Sequence, residues 1–286
     1  SGSCPFDAKA DGLIGSDGYA AVLMKTLPKA LADGDRIYGV VRGIGLSSDG
    51  RGKGFWAPRK AGQVEAIRRA YAEGVDPSRL QYIEAHATST QLGDATEMAA
   101  LNESLGRFAT EKIPVASVKA NLGHTLETAG MAGLIKTLLA MQHGIIPPAV
   151  NFETPNPAID WDDIPFFVPK TAIPWPAPND GHPRRAAINC FGIGGLNTHL
   201  VVDEAPAETG SSRFTDSVWL GSTEGSPQTV ENGEVAPLDP SHPSRFHDFE
   251  TASTQDDVAI IGMGSIFAGA TSLEAFWELL TSGRDP

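Results

Sequence analysis

The chain has 286 residues, of which 41% are hydrophobic, and this is the length and composition of a globular protein with one large or two small domains. Its 35 acidic and 22 basic residues give a formal net charge of -13, which argues against a broad surface for nucleic acid or an anionic membrane. The two cysteines, Cys4 and Cys190, form no CxxC motif, so they indicate neither a disulfide framework nor a cysteine-based zinc site, and they favour a cytoplasmic location. Because the longest apolar runs are short, we expect no membrane span.

Apolar strand-like runs alternate with helix-period segments from Asp7 to Pro206, and this pattern predicts an α/β domain with a buried sheet. Six strands are predicted in this region, at 19–24, 37–44, 80–85, 114–118, 186–190 and 198–202. Three helices are predicted, one on the stripe of Val64, Ile67 and Tyr71, one at 94–105 and one at 128–143. Turns are predicted at 33–35 and in the glycine-rich loop at 191–197.

The composition changes abruptly after Pro206. Residues 207–256 are rich in Ser, Thr, Gly, Pro, Glu and Asp and show no sustained periodicity, which predicts a disordered acidic linker. A buried strand is then predicted at 258–264, followed by a helix that places Leu273, Phe276, Trp277 and Leu280 on one face. Because 30 residues are too few for a domain, we interpret 257–286 as the beginning of a second one.

Three segments place reactive side chains beside small residues at the end of an apolar element. They are EAHATST at 84–90, KANLGHTLETAG at 119–130 and NCFGIGGLNTH at 189–199. Each has an ordinary explanation when taken alone, because a histidine at a strand end is usually structural and a glycine-rich loop is usually a tight turn. Together the three segments indicate one shared site.

This combination resembles the β-ketoacyl synthase family, the condensing enzymes of polyketide and fatty-acid synthesis. In that family, motifs of the forms EAHGTGT and KSNIGHT precede a loop of the form SFGFGGTNAH, and the order and spacing agree with residues 5–206. The motifs AIIGMG and FWELL in the tail resemble the opening of another ketosynthase domain, a tandem order similar to that of polyunsaturated-fatty-acid and some polyketide synthases.

The resemblance implies a fold and a division of the chain. The fold is the α/β, thiolase-like layered αβαβα fold, incomplete and represented mainly by its carboxyl-terminal half. The division is into the end of a ketosynthase amino-terminal half at 1–34, the carboxyl-terminal half at 35–206, the linker at 207–256 and the truncated start of a second ketosynthase-like domain at 257–286.

The activity that the resemblance implies is that of a β-ketoacyl synthase, an acyltransferase that condenses an acyl-cysteine with a malonyl thioester and releases carbon dioxide. The implied partners are an acyl carrier protein, whose phosphopantetheine arm carries the substrate, and a second ketosynthase in a homodimer or a chain-length-factor pair. No directly bound cofactor and no metal are expected.

Two sets of site residues follow from the resemblance. The catalytic set is His86, His124 and Lys119, in which the histidines donate to the malonyl thioester carbonyl as the enolate forms and the lysine holds the environment of His124. The set that binds pantetheine and forms the gate beside the nucleophile is Thr88, Thr90, Phe191, Gly194 and Gly195.

The sequence departs from the family pattern in several places. Ala87 and Ser89 stand where the family has glycine, and Cys190 stands where serine is usual. The family's nucleophilic cysteine lies in an upstream motif that these residues lack, so we expect the chain to be inactive alone and, since it opens with Ser, to continue upstream. The alternative is a non-catalytic ketosynthase-like or chain-length-factor partner. Nucleotide binding through 262–264 fits poorly, because position 267 is Phe where the GxGxxG fingerprint needs glycine.

Overall fold

The structure is a computed structural model that describes residues 2–50, 57–72, 74–206 and 257–283. The strands of its main sheet are β1 Gly18–Thr26, β2 Gly39–Ser48, β3 Tyr82–Glu84, β4 Ile113–Ala116, β6 Phe166–Phe167, β8 Arg185–Phe191, β9 Leu196–Glu204 and β10 Val258–Phe267. A small separate pair is formed by β5 Ile145–Ile146 and β7 Ile173–Pro174. The α-helices are α1 Leu27–Asp33, α2 Lys60–Ala70, α3 Gln91–Leu105, α4 Lys119–Leu122, α5 Ala129–His143 and α6 Leu273–Ser282.

The main sheet has a parallel part and an antiparallel part. Its strand order is β1-β10-β2-β9-β8-β3-β4-β6. The parallel part consists of β8, β3, β4 and β6, each of which runs parallel to its neighbours within this group. The antiparallel part consists of β1, β10, β2 and β9, and β9 is also antiparallel to β8. Because the carboxyl ends of parallel strands lie at one edge of a sheet, the residues that follow β3, β4 and β8 meet there.

The sheet is covered by helices on both faces, and the alternation of side chains along β3 shows how. Ile83 points into a cluster with Val64 and Ile67 of α2 and with residues of α3. Tyr82 points to the other face, into a cluster with Leu138 of α5. The described residues therefore form an α/β layered structure with buried strands, which confirms the predicted fold class.

Local chemistry explains where the elements differ from the sequence predictions. The predicted strand 114–118 is shorter, because the N–H of Val118 donates to the buried carboxylate of Glu84 at 2.5 Å and the chain turns into α4. The short helix α1 was not predicted. It ends at Gly34, which adopts a left-handed conformation with φ of 69° and thus forms the turn that was predicted there.

The tail of the chain joins the same sheet as the rest. The predicted strand 258–264 corresponds to β10, and the predicted helix face corresponds to α6. The predicted linker at 207–256 lies outside the described residues, and the assignment of 257–286 to a second ketosynthase-like domain stays a prediction. The longest described helices have 15 residues, and none of the described helices is long and apolar enough to cross a membrane.

Candidate active site

Two histidines and a phenylalanine, each supplied by a different segment, meet at the edge where β3, β4 and β8 end. The ring of His86 lies 5.6 Å from the ring of His124, centroid to centroid, at an interplanar angle of 81°. It lies 5.5 Å from the ring of Phe191. The structure thus brings the two predicted catalytic histidines together beside the predicted gate residue.

A buried carboxylate fixes the segment that carries His86. Glu97 of α3 accepts the backbone N–H of His86 on Oε1 and that of Ala87 on Oε2, both at 2.8 Å. Its Oε1 also accepts the side-chain amide of Asn189 at 2.7 Å, which ties the segment to β8. Burial raises the pKa of Glu97. The sequence analysis missed this residue, because the i and i+3 spacing of Asp94 and Glu97 does not by itself show that they lie on the buried face of α3.

The segment that carries His124 is fixed by residues near the start of the chain. The N–H of His124 donates to the carbonyl of Ile14 at 2.6 Å, and the N–H of Ser16 donates to the carbonyl of His124 at 3.0 Å. Gly123 has a φ of 76°, and a Cβ at this position would lie 2.9 Å from the carbonyl oxygen of Ile14. The close approach therefore requires glycine immediately before His124.

Hydrogen bonds from the backbone select the same tautomer in both histidines. The N–H of Phe191 donates to Nδ1 of His86 at 3.3 Å, and the N–H of Leu126 donates to Nδ1 of His124 at 3.0 Å. A ring nitrogen that accepts a hydrogen bond carries no proton, so the proton of each neutral ring is on Nε2.

The electrostatic environment keeps both rings neutral. Burial holds the pKa of His86 well below its usual value, and it lowers the pKa of His124 to about 4. The positive charge of Lys119 lowers both pKa values further. At neutral pH each histidine is therefore a neutral ring with an Nε2–H donor.

Lys119 is buried in the first turn of α4, with 3% of its surface exposed. Burial lowers its pKa, and the charges of Glu84 and Glu97, among others, act in the opposite direction. Lys119 thus lies in the interior, where its charge acts on both histidines.

A second buried carboxylate lies beneath the site. Glu84 accepts the hydroxyl of Tyr82 at 2.6 Å and pairs with Lys136 of α5 at 2.7 Å, and the side chains of both ion-pair members are 2% exposed. A Cβ at Gly133 would lie 2.9 Å from Cγ of Glu84. The small residue thus lets α5 approach β3 closely.

The hydroxyl-rich segment after His86 has an unusual backbone conformation. Ser89 has a φ of 61°, in the left-handed region, which gives a physical reason why the resembling motif has glycine there. Its hydroxyl accepts the N–H of Cys4 at 2.9 Å. The hydroxyl oxygens of Thr88 and Thr90 lie 3.2 Å apart. Since one of these hydroxyls donates a hydrogen bond to the other, the accepting hydroxyl can still donate its own O–H to a third group.

The glycine loop between β8 and β9 is held against Asp49. Gly194 and Gly195 have φ values of 88° and 85°. A Cβ at Gly195 would lie 2.6 Å from Cβ of Asp49, whose side chain accepts the amide of Asn197 at 2.8 Å. The loop therefore needs glycine for its conformation and, at Gly195, for its close contact.

The thiol of Cys190 lies near the end of β8, beside the glycine loop. Burial raises the pKa of the Cys190 thiol, so the thiol form predominates at neutral pH. In the described part of the chain no group of three or more His, Cys, Asp and Glu side chains is arranged to hold a metal ion.

Sequence models of three domains match the chain. The model described as "Beta-ketoacyl synthase, C-terminal domain" matches residues 38–153, and "Ketoacyl-synthetase C-terminal extension" matches 155–231. The model described as "Beta-ketoacyl synthase, N-terminal domain" matches 255–286. The model for the amino-terminal domain therefore matches after the one for the carboxyl-terminal domain.

Similar proteins are synthases of polyketides. A phenolphthiocerol/phthiocerol polyketide synthase protein of Mycobacterium tuberculosis is 41% identical over 94% of this chain and 16% of its own length. Erythronolide synthase of Saccharopolyspora erythraea is 40% identical over 73% of this chain and 6% of its own length. The chain thus spans about a sixth or less of the length of these relatives.

Solved ketosynthases share the fold. The ketosynthase from module 6 of the bacillaene synthase of Bacillus subtilis has a TM-score of 0.66 and 35% identity, covering 72% of this chain and 37% of that one. An oxazolomycin ketosynthase domain from Streptomyces albus has a TM-score of 0.68 and 36% identity, covering 74% and 39%. The fold and the paired histidines define the class of thiolase-like ketosynthases. The chain belongs to the β-ketoacyl synthase family and corresponds to part of a ketosynthase of the type I polyketide synthase kind.

Proposed function

We propose that this chain contributes the histidine and lysine half of a β-ketoacyl-acyl carrier protein synthase site, which catalyses a decarboxylative Claisen condensation. The observation that carries the proposal is the pair His86 and His124, two neutral rings 5.6 Å apart whose protons are both on Nε2. Neutral donors stabilise a developing oxyanion without adding a net charge to a closed pocket.

In the proposed reaction, the malonyl thioester loses its carboxylate as carbon dioxide. The electron pair of the broken carbon–carbon bond forms an enolate whose negative charge develops on the thioester oxygen, where the two Nε2–H groups donate. The enolate carbon then attacks the carbonyl of an acyl-cysteine. A carbon–carbon bond forms, the carbon–sulfur bond breaks, and the cysteine leaves as thiolate. That cysteine would come from outside these 286 residues, since neither Cys4 nor Cys190 lies in the family's nucleophile motif and burial favours the thiol form of Cys190.

The other predicted site residues have supporting roles in this proposal. The charge of Lys119 adds to the effect of burial and lowers the pKa values of both histidines further. Of the Thr88 and Thr90 hydroxyls, the one that accepts from the other would donate a hydrogen bond to the phosphopantetheine arm. Phe191 would combine two tasks, because its ring contacts His86 while its N–H sets the tautomer of that residue. Gly194 and Gly195 would give the gate loop its conformation.

The partners in this proposal are an acyl carrier protein, an acyl and a malonyl thioester, and a second ketosynthase domain in a homodimer. They are proposed because the chain belongs to the family and because its relatives are polyketide synthases. A cytoplasmic location belongs to the same proposal.

Release of labelled carbon dioxide from malonyl-acyl carrier protein tests the proposal in the complete polypeptide that contains these residues. We expect His86→Ala and His124→Ala each to lower the rate by about 10²–10³-fold, the usual effect of removing one oxyanion donor. The matched control is His182→Ala, because His182 is exposed and lies outside the site. Unchanged rates in both active-site variants would overturn the proposal. A polypeptide that neither accepts an acyl group nor releases carbon dioxide would instead be the non-catalytic partner.

A further inference from the structure

A third histidine lies buried behind the site, on the strand β9. His199 has no exposed surface, and its register partner on β8 is Asn189, which is 2% exposed. The two side chains meet at 2.6 Å, between Nδ1 of His199 and Oδ1 of Asn189. The proposed reaction gives this histidine no role, so its buried polar ring needs another explanation.

Hydrogen bonds connect His199 to the segment that carries His86. The side-chain amide of Asn189 donates to Oε1 of Glu97 at 2.7 Å. Glu97 in turn accepts the backbone N–H groups of His86 and Ala87, each at 2.8 Å. A line of polar groups therefore runs from β9 through β8 and α3 to the backbone of His86.

The carboxylate of Glu97 determines the direction of every hydrogen bond in this line. Both of its oxygens accept backbone N–H groups, and an ionised carboxylate can only accept, so Asn189 must present its NH2 to it. The Oδ1 of Asn189 then faces His199, whose Nδ1 must carry the proton. Nε2 of His199 is left as an acceptor, and it faces the hydroxyl of Tyr71 at 3.4 Å. His199 is thus the opposite tautomer to the two histidines of the site.

Burial keeps both rings at the far end of the line uncharged. It lowers the pKa of His199 to about 3 and raises the pKa of Tyr71. At neutral pH His199 therefore has one N–H and one ring lone pair, and Tyr71 keeps its hydroxyl proton. The two rings also pack together, with centroids 5.6 Å apart at an interplanar angle of 45°. His199 is therefore held between a donor on α2 and an acceptor on β8.

The tautomer of His199 decides which end of the Asn189 amide faces Glu97. Without a proton on Nδ1, the ring would require the amide to turn its NH2 toward His199 and its carbonyl oxygen toward Glu97. Two acceptor oxygens would then face each other in the interior, and the carboxylate would lose one of its donors. Glu97 would keep only the backbone N–H groups that it has to hold in place.

We infer that His199 is a positioning residue for His86. Its Nδ1–H holds the Asn189 amide in the orientation that donates to Glu97. Glu97, with all its donors in place, then fixes the backbone that carries the ring of His86. The effect of this placement on decarboxylation rests on the proposed function, whereas the tautomer of His199 and the support of the backbone do not.

The tautomer is tested without substrate, by long-range ¹H–¹⁵N correlation spectra of the folded chain at neutral pH. With the ring signals assigned by His199→Asn, we expect a proton on Nδ1 of His199 and none on Nε2. A proton on Nε2 would overturn the inference, whatever the activity of the complete polypeptide. Absence of carbon dioxide release together with a proton on Nδ1 would overturn the proposed function and support the arrangement of His199.

Two substitutions separate the ring proton from the packing of the ring. His199→Leu removes both ring nitrogens, whereas His199→Asn keeps an amide N–H near the position of Nδ1. In His199→Leu we expect hydrogen exchange at the His86 and Ala87 amides to become about tenfold faster, the effect of losing about one buried hydrogen bond. In His199→Asn the exchange should stay near its original rate, and the Leu126 amide should change in neither variant. Equal acceleration in both variants would assign the effect to packing and overturn the inference.

The rate of decarboxylation in the complete polypeptide completes the test. His199→Leu should lower kcat for carbon dioxide release from malonyl-acyl carrier protein about tenfold and leave KM nearly unchanged, because a misplaced donor weakens an interaction made in the transition state. His199→Asn should recover most of this loss. His182→Leu, at an exposed position, is the matched control. A raised KM with an unchanged kcat would contradict a role of His199 in positioning His86.

Discussion

The two histidines of the site have the same ring chemistry and different structural support. Each receives a backbone N–H on Nδ1, from Phe191 in one case and from Leu126 in the other. His86 is held by the interior of the fold, through Glu97 and the strand β8. His124 is held by segments far away in the chain: Ile14 and Ser16 bond its backbone, and Phe267 of the tail packs in one cluster with Leu122, two residues before it.

The protonation of each histidine ring and the stability of its position therefore have different structural causes. The same tautomer is imposed in both places by a single backbone N–H, from Phe191 for His86 and from Leu126 for His124, whereas the position of each ring depends on several contacts. We therefore expect substitutions beneath the site to affect both histidines, and substitutions in α3 or α6 to affect one of them.

The largest expected effect is that of Lys136→Met, which leaves the buried carboxylate of Glu84 without its ion-pair partner. Loss of one member of a buried pair costs about 3–5 kcal/mol, and denaturant unfolding measures it. Because Glu84 also accepts the N–H of Val118, both histidine segments should be perturbed.

Two comparisons control this experiment. Adding Glu84→Gln to Lys136→Met removes the unpaired charge and should recover part of the lost stability. Lys29→Met removes an exposed i,i+4 pair with Asp33 and should change little. An equal loss for Lys29→Met and Lys136→Met would show that the buried pair has no special role.

A smaller effect, confined to the segment that carries His86, is expected for Glu97→Gln. A glutamine has one acceptor oxygen where the carboxylate has two, so its NH2 group would face a backbone N–H and leave that donor unpaired, at a cost of about 1–3 kcal/mol. Hydrogen exchange should become faster at the amides of His86 and Ala87 and stay unchanged at Leu126. Glu103→Gln, at the surface end of the same helix, is the control. Faster exchange at Leu126 as well would remove the distinction between the two supports.

The smallest expected effect is a change in the pKa values of both histidines. Lys119→Met removes a positive charge that lowers both pKa values, so both should rise. The pKa of His124 should rise from about 4 and stay below its usual value, because burial is the larger cause of its shift. Titration by NMR measures this shift. Lys119→Arg keeps the charge and should keep the low values, and the exposed Lys112→Met should have no effect. Unchanged pKa values in Lys119→Met would mean that its charge does not reach the rings.

The sequence predicted the parts of this site that depend on local pattern. The order of the motifs placed His86, His124 and Phe191 at one site. It did not reveal Glu97, because a buried acid is recognised only when its three donors are known. It also gave no sign that β10 pairs between β1 and β2, since pairing between segments so far apart in the chain leaves no periodicity in the sequence.

The protonation state of the two rings is the most direct test of this account. Long-range ¹H–¹⁵N correlation spectra of the folded chain at neutral pH, assigned with His86→Gln and His124→Gln, distinguish a protonated from an unprotonated ring nitrogen. We predict that both histidines carry a proton on Nε2 and none on Nδ1. An imidazolium at either position, or a proton on Nδ1, would contradict the claim that the site presents two neutral Nε2–H donors.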